Sequence, residues 1–493
     1  MNGRVTDMAD NAELQRLAGR LKPLLFLRGM EGKRVRLAVL LIRPFMPELP
    51  NLVTRNGAVE PELLLSRYGL LALRYTFTLP VGADVQKAAW YELEGTRYVV
   101  NTAYDGDLAV AFVSCNGQEE GDRQRPEESR NVLWARLDQA HAQEPLHLLL
   151  HGGDQIYADE ILETHPLTRE WGRERGDPGA NAGAEVPEVV ATLRRVLLQR
   201  YLELYGQPAI ADILCRVPSL AMWDDHDICD GWGSLPDKKL DSPVGNAVFA
   251  VAREHFLLFQ MGAVEGALPE TCLDASGTSL TWRVEMPGLT LVAPDLRSER
   301  RRDRVMGPAG WRALTTALGE AEGSRILFLS SVPALGPRLS LIEPVMRITP
   351  IAEKYEDDLR DQWQSRTHRE EWCKFLRTLL AAHERDDTRL TVLSGEIHLA
   401  TRGTLASDTG ELHQLVASGI THPPPPKAYA ATLGALASLG SAPLKEHPIK
   451  LLPLPGKSAI YTAERNYLML ARRHGAWEVW WELESGPTEK LVI

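Results

Sequence analysis

Between residues 106 and 420 the chain repeats one pattern, a short apolar run that ends in a polar or glycine-containing tip. The runs are "LAVAFVSCNG", "PLHLLLHGGD", "VPSLAMWDDHD", "LTLVAPDLRSER", "RILFLSSVP", "RLTVLSGEIH" and "LHQLVASGIT". Stretches with apolar residues three and four apart, such as "EVVATLRRVLLQRYLELYG" and "HREEWCKFLRTLLAAHE", lie between several of them. Strands separated by helices predict an α/β layered domain with much parallel pairing. In such sheets the carboxyl ends of the strands gather at one edge, so residues far apart in sequence meet there.

The flanks read differently. "VRLAVLLI", "LLALRYTFTLP", "AAWYELEG" and "RYVVNTAY" follow one another with Gly and Pro between them, which predicts a small β-rich N-terminal domain over 1–105. After the α/β segment of 106–420, residues 421–493 read as a loop or lid segment and a C-terminal hairpin, "RNYLMLARRHGAWEVWWELES", packing on the core. "THPPPPKAYAATLGALASLGSAPLKEHP" and "RERGDPGANAGAE" are rich in Gly, Ala and Pro and read as long loops, "AYAATLGALASLG" alternatively as a helix capping the site. A chain of 493 residues accommodates this division, at roughly 100–200 residues per domain.

Charge narrows the partners. With 55 basic against 66 acidic residues the net charge is -11, which argues against a broad grip on nucleic acid. The expected partner is a small molecule, with no membrane association, and the oligomeric state is not readable. The opening "MNGRVTDMADNAEL" has no apolar stretch of the secretory type, and no run approaches the roughly 18 apolar residues of a spanning helix. Five scattered cysteines without a C-x-x-C pair suggest neither a disulfide framework nor a zinc ribbon. A cytoplasmic protein is the expectation.

Four tips carry ligand-type side chains: Cys115 and Asn116 in "SCN", Asp154 and Tyr157 in "HGGDQIY", Asp224, Asp225 and His226 in "WDDHD", Glu396 and His398 in "SGEIH". Adjacent carboxylates repel unless a cation lies among them. Carboxylate and phenolate oxygens suit a hard metal, imidazole and thiolate a softer one. Singly, each residue has a plainer reading: Asp154 as a helix N-cap, Tyr157 as a packed aromatic, Cys115 as a buried thiol, His398 as a core histidine, Glu396 as a surface charge. Their joint occurrence at strand ends favours the metal reading. Arg297, whose guanidinium offers paired donors, is the candidate phosphate holder, against a solvated basic loop, the reading preferred for Arg300 to Arg304. Asp230 and Trp232 are expected behind His226, His147 and His151 in structural roles, and Asp361 and Trp363 at the pocket or in the core.

"SCN", "GDQIY", "WDDHD" and "SGEIH", in this order, resemble the PhoD-like alkaline phosphatases of the calcineurin-like metallophosphoesterase superfamily. "APDLRSERR" and "GPAGWRAL" resemble further segments of that family. The resemblance implies a two-sheet sandwich flanked by helices, preceded here by the small β-rich domain. It also implies two metal ions, iron plus calcium, with manganese, zinc or magnesium as alternatives. The implied ligands are Cys115, Asp154 as the bridge, Tyr157, Asp225, Glu396 and His398. Catalytic roles fall to His226 as general acid, Arg297 and Asp225, and substrate contacts to Arg297, His226 and Asn116. Glu396 departs from the family's Asp, and the family's twin-arginine export signal is not seen. The function expected is hydrolysis of phosphate mono- or diesters by a metal-activated hydroxide. The rivals are a nuclease acting on single strands and a non-catalytic binding or scaffold member of the fold.

Overall fold

The structure, a computed structural model, describes residues 11–82, 89–173, 183, 185–337 and 361–493. Most of the stretch "RERGDPGANAGAE" and the first ten residues lie outside the described residues.

The apolar runs form strands of two large sheets. The first sheet takes β1 (Leu24–Glu31), β2 (Arg34–Pro44), β3 (Glu62–Arg67), β4 (Leu70–Pro80), β5 (Leu108–Val113), β6 (Leu148–Gly152) and β7 (Ser219–Met222). The second contains β8 (Trp282–Met286), β9 (Leu289–Ala293), β10 (Arg325–Ser330), β11 (Arg389–Ser394), β12 (Thr401–Ser407), β13 (Gly410–Val416) and β14 (His447–Leu452). The chain then returns to the first sheet through β15 (Asn466–Arg473) and β16 (Ala476–Leu483), paired about Gly475. The main path of the first sheet runs β16-β15-β5-β6-β7-β1-β2-β4-β3, and that of the second β8-β9-β10-β11-β13-β12-β14.

β5, β6 and β7 are parallel, as are β9, β10, β11 and β13. All but β13, whose first residues are exposed, are almost wholly buried, the pattern of parallel strands covered on both faces. The strands expected over 1–105 are present, and β1 pairs parallel with β7 through Phe26 and Ser219, so the leading segment extends the first sheet. Its separate part is a four-stranded sheet of Leu52–Thr54, Gly57–Val59, Trp90–Leu93 and Thr96–Val99.

One hydrophobic core spans both sheets. Two buried indoles cross between them: Trp282 of β8 donates to Ala221 O at 2.8 Å, and Trp481 of β16 donates to Val416 O at 2.8 Å. A buried indole N–H needs an acceptor, so each fixes the register of one sheet on the other as well as filling space.

Helices cover the sandwich: α1 (Val132–Gln143), α2 (Val186–Tyr205), α3 (Pro243–Met261), α4 (Pro308–Gly319), α5 (Arg369–His383) and α6 (Lys427–Ala437). α2 buries Val189, Leu193, Leu197, Tyr201 and Leu204, three and four apart, the stripe a core-facing helix needs. α3 shows why such a helix starts and stops. Ser242 Oγ accepts from Gly245 N at 3.0 Å, Pro243 opens the first turn, and Gly262 ends it at φ 54°. None of the helices among the described residues is long and apolar enough to cross a membrane.

Three buried histidines accept backbone amides at strand entries. Nδ1 of His141 takes Leu146 N (3.1 Å), that of His147 takes Ala109 N (2.9 Å) and that of His383 takes Leu390 N (3.1 Å). Each is buried, and burial lowers each imidazole from 6.5 to about 4. As pH falls from 6.5 towards 4 the unfolded chain takes up protons that the folded chain refuses, so stability falls across that window and the loss is complete below it. Urea midpoints measured at pH 7.5, 5.5 and 4.5 are expected to decrease in that order, and each of His141→Gln, His147→Gln and His383→Gln to flatten the trend.

Candidate metal centre

The tips of the parallel strands converge where the two sheets meet. Cys115 follows β5, Asp154 follows β6, Asp224 and Asp225 follow β7, and Glu396 and His398 follow β11. Eight non-glycine residues among those described have positive φ, and four are predicted ligands: Cys115 (52°), Asp154 (54°), Glu396 (66°) and His398 (51°). A left-handed non-glycine residue costs roughly 1–2 kcal/mol and persists only where its surroundings force it. For three of the four, bonds of the backbone amides supply this: Cys115 N to Gly153 O (3.1 Å), Asn116 N to Asp154 O (2.8 Å), Asp154 N to Asp227 Oδ2 (2.9 Å) and His398 N to Ser418 Oγ (2.8 Å). Gly153 has φ 100°, and a Cβ there would stand 2.7 Å from that of Asp224, so only glycine lets these two tips approach.

The ligand atoms of Asp154, Asp224 and Asp225 lie within 4.8 Å of one another, and so do those of Asp225, His226 and Asp230. The three carboxylates of the first group are buried. One guanidinium holds two of them, Asp224 and Asp225, together with Asp361. Arg297, with no exposed surface, bonds Asp224 Oδ1 through Nε, and its Nη2 lies 3.3 Å from Asp225 Oδ1 and 2.6 Å from Asp361 Oδ2. Ser331 Oγ adds a bond to Asp224 Oδ1 at 2.7 Å. Burial raises the Asp224 carboxyl to about 6 even against Arg297, and burial with Asp224 alongside holds Asp154 well above the usual range. At Asp361, Arg297 and Arg300 outweigh burial and hold the carboxyl below its ordinary value.

Asp154 Oδ1, Asp224 Oδ2 and His398 Nδ1 are buried without a hydrogen-bond partner among the described residues. Buried polar atoms are normally paired, so three orphans around an acidic cluster fit a cation. Carboxylate oxygens beside an imidazole and the Cys115 thiol match a hard and a softer ion. Cys115 Sγ is 3.6 Å from Asp154 Oδ2 and 3.2 Å from Ser418 Oγ, and burial first, then Asp154, raises its thiol far above the free value.

His226 forms a dyad. Its Nδ1 lies 2.8 Å from Asp159 Oδ2, while Asp159 Oδ1 accepts Asp230 N at 2.5 Å. Burial opposes the imidazolium, but Asp159 and Asp225 prevail and raise His226 well above 6.5. The Tyr157 ring stacks on His226 (4.3 Å between centroids) and on His422 (5.1 Å), and His422 on His398 (3.8 Å). The Tyr157 hydroxyl is 3.5 Å from His398 Nε2. A cavity of about 510 Å³ opens here, lined by Asp154, Asp225, His226, Asp361, Glu396 and His398 and also by the prolines of 423–426 and by Tyr429 and Leu433 of α6.

The model of the PhoD-related phosphatase family matches residues 92–355, more than half of the chain. The chain belongs to the PhoD-related phosphatase family. It is 23% identical over 455 residues to the uncharacterized Saccharomyces cerevisiae protein YGR266W, an alignment covering 73% of this chain and 64% of the yeast protein, less than two thirds of that protein's length. The fold matches the structure of PhoD with a TM-score of 0.60 at 12% identity, over 95% of this chain and 88% of that one. It matches a purple acid phosphatase from yellow lupin (Lupinus luteus) seeds with a TM-score of 0.51 at 9% identity, over 94% and 73%. The fold is thus the metallophosphoesterase sandwich that the sequence resemblance implies.

Within this PhoD-related frame, Asp154 and Asp225 fall in the acidic group together with Asp224. Cys115 and Tyr157 back it, and Glu396 and His398 line its cavity beyond the family match. Gln362 Nε2 bonds both oxygens of Glu396, at 2.7 and 2.8 Å. Asn116, expected at the substrate, is buried and accepts from Trp134 Nε1 at 2.7 Å. Arg297 stands behind the carboxylates rather than on the cavity wall. Arg300 corrects the solvated-loop expectation: it has no exposed surface and bonds Asp361 O, with Nε 3.1 Å from Asp361 Oδ1, because Asp361 needs a second buried cation. Trp232 stacks on Phe249, and Trp363 belongs to the core, stacked on Phe375 at 4.3 Å. Asp159, Gln362, His422 and Ser331 were not anticipated. For His422 the available signal is a polar dipeptide between an apolar run and four prolines.

Removing Arg297 strips the carboxylates of their counter-charge. In chelator-treated protein Arg297→Met is expected to cost roughly 3–5 kcal/mol in denaturant unfolding, more at pH 8 than at pH 5, where protonated carboxyls need no partner. Arg297→Lys is expected to recover only part of this, since one ammonium cannot span three carboxylates.

Proposed function

We propose that this chain is a metal-dependent phosphoric ester hydrolase that takes mono- or diesters at a two-cation site. The observation that carries the reading is the set of buried carboxylates Asp154, Asp224 and Asp225, with orphaned oxygens, beneath a cavity of enzyme-site size. Asp154 and Asp225 would hold the cations, with Cys115, Tyr157, Glu396 and His398 completing the donor set. The mixture of hard and soft donors supports an unlike pair such as iron and calcium. Bound there, the cations would polarise a water and the phosphoryl oxygens.

The chain's own groups do the rest. His226, fixed through Nδ1 by Asp159, presents Nε2 to the cavity as an imidazolium and gives its proton to the departing oxygen of the ester. Asp159 positions the ring and stabilises its charge, while Tyr157, itself stacked on His422, holds it flat. Arg297 and Arg300 act as positioning residues, holding Asp224, Asp225 and Asp361 in place. Five free cysteines, three of them buried, support a reducing compartment, the cytoplasm.

Elemental analysis is expected to find about two metals per chain, and chelator to abolish hydrolysis of p-nitrophenyl phosphate or bis-p-nitrophenyl phosphate. Asp154→Asn should lose metal and turnover together. His226→Ala should lose roughly 10²–10⁴-fold in kcat, and a metal-loaded His226→Ala protein as fast as wild type would sink the proposal.

A further inference from the structure

The cavity lining is of two kinds. Asp154, Asp225, Asp361, Glu396 and His226 give it an acidic floor, and Leu399, Tyr429, Leu433 and Tyr461 give it an apolar wall. That wall is backed by a second hydrophobic cluster of Leu399, Ala430, Ala437, Leu451 and Tyr461, against which Ile397, Tyr429 and Leu433 pack. Tyr429 and Leu433 are four apart on α6 and share one face. The four prolines of 423–426 have no backbone N–H, so this stretch offers no main-chain donor to a phosphate or a sugar. Among the described residues no Lys or Arg lines the cavity, and Glu119 and Asp230 add negative charge at its edge. The polar lining besides the acids is His226, His398, His422, Gln362, Gln364 and Thr401, so no fixed cation among the described residues is on hand for a second anionic group.

We propose, on the strength of the phosphoesterase reading above, that the substrates carry a single phosphoryl group on a hydrophobic alkyl or aryl alcohol, whose organic part lies on the wall formed by Leu399, Tyr429, Leu433 and Tyr461. The floor does the chemistry and the apolar wall selects the organic group. A cavity of about 510 Å³ holds far more than one phosphoryl group, which leaves room for an organic group on this wall.

The test is phosphate release from methyl, butyl and octyl phosphate, and p-nitrophenol release from the matching p-nitrophenyl alkyl diesters, by metal-loaded full-length protein. kcat/KM is expected to rise roughly two- to fourfold per methylene until the chain leaves the cavity. Leu433→Asp, at a half-buried helix position, should bring the octyl ester down to the rate of the methyl ester. Leu433→Ala, should the aspartate disturb folding, should shallow the same slope. Calorimetric affinities of methyl-, butyl- and octylphosphonate should follow the same order. A flat chain-length series with turnover intact, or a preference for nucleotides over octyl phosphate, overturns this inference and leaves the phosphoesterase reading standing. Absence of chelator-sensitive turnover on every ester overturns that reading, and the inference with it.

Discussion

One buried guanidinium, Arg297, organises the functional end of this molecule. A fully desolvated charge is tolerable only when paired, and arginine is the side chain that stays ionised whatever surrounds it. Arg297 sits after β9 of the second sheet, Asp224 and Asp225 after β7 of the first, and Asp361 just before α5. The ion pairs therefore join the sheets at the strand tips, as the indoles of Trp282 and Trp481 join them elsewhere. The arrangement leaves negative charge over. Arg297 and Arg300 face Asp224, Asp225 and Asp361, with Asp154 and Glu396 close by, and Asp154, Asp224 and Glu396 all have their carboxyls pushed up. That residual charge makes the site receptive to cations.

Strain and charge are concentrated in the same residues. Left-handed backbone at Cys115, Asp154, Glu396 and His398 turns each side chain at the point where its strand ends, and the forcing bonds run between tips: Cys115 to Gly153, Asn116 to Asp154, Asp154 to Asp227. No tip can relax without releasing its neighbour. Asp227 is central to this, because one of its oxygens accepts the amides of both Asp154 and Asp224 at 2.9 Å while Gln260 holds the other at 2.7 Å.

Where the sequence was legible, the signal was periodic or local. Continuous apolar runs with polar tips read as buried parallel strands because both faces of such strands are covered. The Ala-rich stretch within the proline- and glycine-rich segment is helix α6 because alanine costs least to order in that form, and Gly434 is tolerated where it faces Ile460 and Tyr461. What escaped was pairing across long separations. "RSERRRDR" reads as a solvated basic run, yet Arg300 meets Asp361, 61 positions later, and local charge density carries no trace of that partner. Asp159 becomes the partner of His226 only when the chain folds, and His422 reaches Tyr157 and His398 only when the tip after β13 arrives beside that after β5. Likewise the leading strands were readable as strands, but their edge-to-edge union with β7 rests on a single residue pair.

That last tip connects the chemistry to the cavity wall. Thr421 Oγ1 bonds Gly117 O at 2.8 Å and His422 N bonds Cys115 O at 3.3 Å, so the segment is fastened to the backbone of the ligand-bearing tip. At Gly117 a Cβ would stand 1.5 Å from the Tyr157 ring, so glycine is required for Tyr157 to lie against this strand and stack on His226 and His422. The prolines begin immediately after His422, and their restricted φ carries the chain rigidly into α6. The apolar wall is thereby held in register with the acidic floor through covalent continuity and two hydrogen bonds. A displacement of the tip after β5 would move the Cys115 thiol and the wall together, so the acidic cluster and the apolar lining depend on one backbone junction.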